Sequence, residues 1–171
     1  MANVNETYDF WLYCKNARIT SDVHIAQLLA EVAEIQWDII CFSETRAADG
    51  EYTLNGGHGL FCGRGDSIYA GVAILVNTKW VPYIICSERV SDRIVYIDLD
   101  IFGKQCRVIA VYFPHAGYPS DDFHQCLYLL RTTIMATSEN GMKCMVGGDF
   151  NLVLHHGWRG TSLKSYFVKR S

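Results

Sequence analysis

Four apolar segments of strand length, residues 70–77, 81–86, 94–99 and 107–113, follow one another with only Gly-, Asp- and Asn-bearing turns between them. A run that short must borrow neighbours to satisfy its backbone N–H and C=O groups, and the nearest neighbours in sequence are the other runs. The succession predicts a strand at each and favours local antiparallel pairing. Residues 10–14 and 38–43 read as earlier strands, the second buried on both faces, and residues 143–146 as a last one.

Two stretches carry the helical period instead. Ile25, Leu28, Leu29, Val32 and Ile35 fall on one face of a helix that Ser21 can cap and whose dipole suits Asp22. Phe123, Cys126, Leu127, Leu130 and Ile134 line a second helix, with Ser120 as its cap. Strands packed in sheets with helices outside give an α/β or α+β sandwich. With 171 residues, 50% of them hydrophobic, one sizeable core is expected rather than two domains.

Composition narrows the function classes. No apolar stretch approaches the roughly 18 residues of a membrane span, and the N-terminus, with Glu6 and Asp9, lacks the basic start of a signal peptide. The expectation is a soluble intracellular protein, nuclear or cytoplasmic, with no membrane partner. Seven cysteines, none in a C-x-x-C pair, read as reduced core thiols rather than disulfides or a zinc site. A net charge of −3 gives no global footprint for nucleic acid; Arg159, Lys164, Lys169 and Arg170 form a basic tail that reads as solvated.

The polar residues that matter stand at strand ends. Asn16 follows the first strand, Glu44 ends the second, Tyr112 and His115 end a later one, and Gly147-Gly148-Asp149-Phe150-Asn151 closes the last. Along an extended segment side chains alternate, so Asp149 and Asn151 would project the same way. If these ends converge, Glu44 and Asp149 are hard oxygen ligands of the kind Mg²⁺ takes, alongside water and substrate phosphate. Singly, each has a plainer reading: Glu44 paired with Arg46, Asp149 closing a turn, Asn16 capping the next segment.

The ordered series resembles a known family. Val111-Tyr112-Phe113-Pro114-His115-Ala116-Gly117-Tyr118-Pro119, then a helix and the Gly-Gly-Asp-Phe-Asn run, is similar to the endonuclease/exonuclease/phosphatase superfamily. More narrowly, it resembles the apurinic-type endonuclease domain of non-LTR retrotransposons and their craniofacial-development-protein-2-like relatives. Asn16-Ala17-Arg18 resembles the family's first Asn motif, residues 38–46 its Glu motif, Gly71 to Leu75 its central strand, and Ser91-Asp92-Arg93-Ile94 a further element. The resemblance implies a layered α/β/β/α sandwich over residues 1–151 and a divergent tail over 152–171. It also implies Glu44 as the principal Mg²⁺ ligand (Mn²⁺ the alternative), with Asn16 beside the metal or phosphate. Asp149 would orient or deprotonate the attacking water, Asn151 and Tyr112 would bind the scissile phosphate, and His115 would contact phosphate.

The family continues to a Ser-Asp-His ending that supplies a catalytic His, and no segment matches it. Arg93 stands after Ser91-Asp92 where the His would be, and far too early, while His155-His156 read as surface residues. The fold is therefore expected to be incomplete at the C-terminus. Three readings follow: a Mg²⁺-dependent DNA endonuclease of retrotransposon origin, a phosphatase of the same fold acting on a phosphorylated small molecule or lipid, and a noncatalytic remnant or binding module.

Overall fold

The computed structural model describes residues 9–19, 21–64 and 70–151, the side chain of residue 22 excepted. The tail, its basic residues and His155-His156 lie outside the described residues. Among the described residues nine strands and two α-helices follow in the order β1 (Leu12–Asn16), α1 (Asp22–Val32), β2 (Ile39–Ser43), β3 (Gly50–Thr53), β4 (Gly59–Gly63), β5 (Val72–Val76), β6 (Ile84–Ser91), β7 (Ile94–Ile101), β8 (Lys104–Tyr112), α2 (Ser120–Glu139) and β9 (Lys143–Asp149).

The strands divide into two sheets, ordered β1-β2-β5-β4-β3 and β6-β7-β8-β9. Alternation along each strand builds the layers. Ile39, Cys41, Val72, Ile74 and Val76 of the first sheet meet Val95, Ile97, Leu99, Val108 and Ala110 of the second in a core between them. The opposite faces, Ile40, Phe42, Ala73 and Leu75 on one side and Ile94, Tyr96, Ile109 and Val111 on the other, are covered by α1 and α2 respectively. The result is the α/β/β/α sandwich.

Each sheet contains one parallel pair joined across a helix: β1 to β2 through α1, and β8 to β9 through α2. Local antiparallel pairing holds for β6, β7 and β8. It fails for β5, which pairs with β2 and β4 in the other sheet. Residues 81–83 form a 3-10 turn with Pro82, and the strand begins only at Ile84, because proline fixes φ and offers no ladder N–H. β3 and β4 were not expected from the sequence.

The helices follow the pattern with three corrections. Ser21 caps α1 by accepting the His24 N–H at 3.5 Å, but the helix stops at Val32 and leaves Ile35 exposed. α2 starts at Ser120 behind Pro119, so Ser120 is inside the helix rather than its cap. Its buried face is Cys126, Leu130, Thr133 and Thr137, while Leu127 points outward. The two threonines are tolerated there because their hydroxyls donate to the carbonyls of Leu129 and Thr133, each at 2.8 Å. No described helix is long and apolar enough to cross a membrane.

Cysteine placement is mixed. Cys41, Cys62, Cys106 and Cys126 are buried, as core thiols should be, but Cys14 and Cys86 are exposed and Cys144 is partly so. All seven are free. Burial pushes the thiol of Cys62 up to about 12 and those of Cys106, Cys126 and Cys144 up to about 11.

Candidate active site

The C-terminal ends of the four parallel-paired strands meet at one edge of the sandwich. In the first sheet Asn16 stands opposite Ser43, the residue before Glu44; in the second Tyr112 stands opposite Asp149. What lets the two ends approach is the Gly147-Gly148 pair. A Cβ on Gly147 would lie 2.9 Å from the Cys14 sulfur and 3.0 Å from that of Cys41, so only glycine fits where β9 crosses β1 and β2. Gly148 has φ +141°, and a Cβ there would fall 1.8 Å from the Val111 carbonyl oxygen. The Gly148 N–H reaches the Cys14 sulfur at 3.1 Å.

Glu44 is held in a conformation that its type rarely adopts, with φ +57° just past the end of β2. Its carboxylate accepts the Asn16 amide at 2.7 Å and lies 3.9 Å from the Arg18 guanidinium; Arg46, the partner anticipated for it, is absent from its described ion pairs. The turn behind it is fixed by Gly71, whose Cβ would fall 1.9 Å from the Thr45 carbonyl oxygen and whose own carbonyl accepts the Thr45 N–H at 3.1 Å. The Thr45 hydroxyl is buried and has no hydrogen-bond partner among the described residues.

Tyr112 is 4% exposed at the end of the inter-sheet core. Burial raises its phenol pKa, the charges of Glu44, Tyr118 and Asp149 raise it further, and Arg93 opposes them. Its hydroxyl is therefore a protonated donor at neutral pH, and both carboxylates act on it.

Asp149 and Asn151 do not project together as an extended segment would have them. β9 ends at Asp149 and Asn151 takes φ +45°, so the alternation stops. Instead, the Asp149 carboxylate accepts the Asn151 N–H at 3.0 Å, and the Asn151 side-chain amide donates to the Phe113 carbonyl at 2.7 Å. The Phe113 N–H in turn donates to the Asp149 carbonyl at 2.8 Å, which ties the ends of β8 and β9 together. Asn151 keeps a second amide hydrogen for a ligand.

A cleft of about 430 Å³ opens here, lined by Arg18, Glu44, Arg46, Tyr112, His115, Gly117 and Tyr118. His115 is exposed, and its Nδ1 accepts the Gly117 N–H at 3.0 Å, which leaves the proton of the neutral ring on Nε2. Of the predicted site residues Glu44, Tyr112 and His115 line this cleft; Asn16 is joined to it by its hydrogen bond to Glu44, while Asp149, paired with Tyr112, and Asn151 are not among the lining residues. Asn16 and Glu44 fit a hard cation: one carboxylate and one carboxamide, the remaining positions falling to water and substrate. No group of three His, Cys, Asp or Glu gathers among the described residues. Sequence reasoning missed the positions of Arg93 and Tyr118 beside Tyr112; a charged residue at a hairpin tip gives no sign that it will be buried.

The endonuclease/exonuclease/phosphatase family model matches residues 2–168. The chain belongs to that family. Among solved structures, an endonuclease/exonuclease/phosphatase family protein from Leptotrichia buccalis C-1013-b is similar at TM-score 0.56 and 15% identity, over 83% of this chain and 66% of that one. A humanized D. rerio TDP2 gives 0.56 and 15% over 90% and 68%. The endonuclease domain of TRAS1, a telomere-specific non-LTR retrotransposon, gives 0.50 and 16% over 75% and 53%. At these identities the likeness is one of fold, and the chain spans about half to two thirds of each structure's length. No curated protein matches the sequence.

Proposed function

We propose that this chain is a Mg²⁺-dependent phosphodiester hydrolase acting on DNA, of the retrotransposon endonuclease type. One observation carries the reading: Glu44, hydrogen-bonded to Asn16 in one sheet, and Tyr112, paired in register with Asp149 in the other, meet at the carboxyl ends of parallel strands in a cleft also lined by two arginines and a histidine. The left-handed backbone of Glu44 and Asn151 supports it, because such strain concentrates at functional sites.

In this reading Glu44 and Asn16 hold the cation, which when bound neutralises phosphate charge and favours departure of the leaving oxygen. Tyr112 and the Nε2 hydrogen of His115 donate to the phosphate oxygens, and Asn151 adds its remaining amide hydrogen. Asp149, fixed by the Asn151 N–H, accepts a proton from the attacking water. Arg18 and Arg46 draw the anionic substrate to the opening. Mn²⁺ would serve the same oxygen ligands.

A second reading is a binding module that holds nucleic acid without cutting it. It is favoured by His115 being the one imidazole lining the cleft among the described residues, with one of its nitrogens already committed to Gly117. Relaxation of supercoiled plasmid with Mg²⁺, beside Glu44→Ala and Asp149→Ala, decides. Nicking that both substitutions abolish is the expected result. A folded chain that binds an oligonucleotide but leaves plasmid intact would replace the hydrolase reading with the binding one. Release of inorganic phosphate from small phosphorylated substrates, plasmid untouched, would make it a phosphatase.

A further inference from the structure

The Ser91-Asp92-Arg93-Ile94 segment has no part in the chemistry above, yet it holds the most unusual charge near the cleft. Asp92 and Arg93 form the two-residue turn between β6 and β7, where a long cation is ordinarily solvated. Arg93 is instead 8% exposed. Among the described residues no carboxylate lies within ion-pair distance of it. What it has are aromatic rings: it lies 5.1 Å from the Tyr112 ring centroid and 4.8 Å from that of Tyr118. A planar guanidinium can stack on both, which a lysine ammonium cannot.

The main chain makes the same connection. The Arg93 carbonyl accepts the Tyr112 N–H at 2.9 Å, and the Arg93 guanidinium donates to the Tyr112 carbonyl at 3.5 Å, so Arg93 engages Tyr112 on both sides. Tyr118 carries the connection into the cleft loop. Its ring meets that of His115 edge-on at 4.5 Å, and its N–H donates to the His115 carbonyl at 3.0 Å. Beside them lies a second cavity of about 240 Å³, lined by Arg93 and Tyr118 among others. Without the guanidinium, the Tyr118 ring has space to swing away from the cleft.

We propose that Arg93 is a positioning residue: its guanidinium, held between two tyrosine rings, fixes the Tyr112 hydroxyl and the His115–Tyr118 loop in the arrangement that receives the phosphate. The assignment rests on the hydrolase reading for its kinetic consequence but not for its structural one.

Two measurements on the full chain test it. In the first, ring resonances of ¹³C-labelled tyrosine are compared in wild type, Arg93→Gln and Arg93→Lys, with Tyr112 and Tyr118 assigned through Tyr112→Phe and Tyr118→Phe. Both resonances should move in both Arg93 variants while Tyr13 and Tyr52 stay and thermal unfolding remains cooperative; unmoved resonances would overturn the proposal. The lysine variant, which keeps the charge, guards against loss of folding in the glutamine one. In the second, plasmid nicking by Arg93→Gln should lose about 10- to 100-fold in kcat with little change in KM, as expected when a reacting group is displaced rather than removed. Arg93→Lys should not restore it. In a Tyr112→Phe background the same substitution should cost several-fold less, since one of the two groups it positions is gone. Equal losses in both backgrounds would reduce Arg93 to a structural residue. Should wild type leave plasmid intact, the hydrolase reading fails and the ring resonances still decide the positioning.

Discussion

The side-chain amide of Asn16 lies 2.7 Å from the carboxylate of Glu44, across 28 residues of sequence and from the end of one parallel strand to the end of its neighbour. That hydrogen bond fixes one carboxylate oxygen and orients the other toward Arg18 and the cleft. Removing it leaves Glu44 free to rotate without removing a core contact, since Asn16 is exposed. On the proposed reading, in which Asn16 and Glu44 hold Mg²⁺, Asn16→Ala is expected to weaken that binding by roughly 10- to 100-fold, since it removes both a ligand and the group that orients Glu44. Calorimetric titration with Mg²⁺ measures it, and the melting temperature should change little.

Gly147→Val is expected to act through the fold. Its side chain must enter the space held by the sulfurs of Cys14 and Cys41, so those side chains or the sheets that carry them must shift to admit it. Overpacking of this kind costs about 1–3 kcal/mol. Gly148→Ala adds a collision with a backbone oxygen at an unfavourable φ and should cost at least as much. Denaturant unfolding checks both; a Gly147→Val protein as stable as wild type would mean the sheets are further apart than described.

Much of this arrangement was legible in the sequence, for reasons that differ by residue. Asn16, Glu44, Tyr112 and Asp149 could be found because each stands at or just past the end of a short apolar run, and such runs mark strand ends locally. β3 and β4 could not: Gly50–Thr53 is largely exposed, and Gly59–Gly63 is bracketed by glycines and becomes a strand only by pairing with β3 and β5. The partition of strands between sheets was hidden for the same reason, since β5 pairs on one side with β4, itself not legible, and on the other with β2, at a distance that no local pattern records. Gly147 reads as a turn glycine until the gap between the sheets is known. Arg93 reads as a solvated turn residue until Tyr112 and Tyr118 are seen around it.

Asp38 should prove a main support of the strand that carries Glu44. It is fully buried and accepts the Trp11 N–H at 2.6 Å, the Trp80 indole at 2.5 Å and the Lys79 ammonium at 2.6 Å. Asp38→Ala removes the acceptor of the buried Trp80 indole N–H and the part-buried Trp11 N–H and is expected to destabilise by roughly 2–4 kcal/mol. Asp38→Asn keeps an acceptor and should cost less. The melting temperatures of the two variants, read side by side, test the ordering.

The buried thiols predict how stability responds to alkali. Each of Cys62, Cys106, Cys126 and Cys144 has its pKa raised from an ordinary 9.0 to about 11 or 12, and that of Cys41 is also raised, by its hydrogen bond with Cys14 and by burial. In the unfolded chain these groups lose protons near pH 9, and in the folded chain only later. Between those values the folded state binds more protons, so stability must fall as pH rises, by up to about 1.4 kcal/mol per pH unit for each thiol. The loss begins near pH 9 and continues until the folded-state thiols themselves ionise. Melting temperature should be nearly flat with respect to these groups below pH 8 and drop steeply from pH 9 to 11. Replacing Cys62 by alanine should lessen the slope even though the variant starts from lower stability; an unchanged slope would mean that Cys62 does not stay protonated in the folded core.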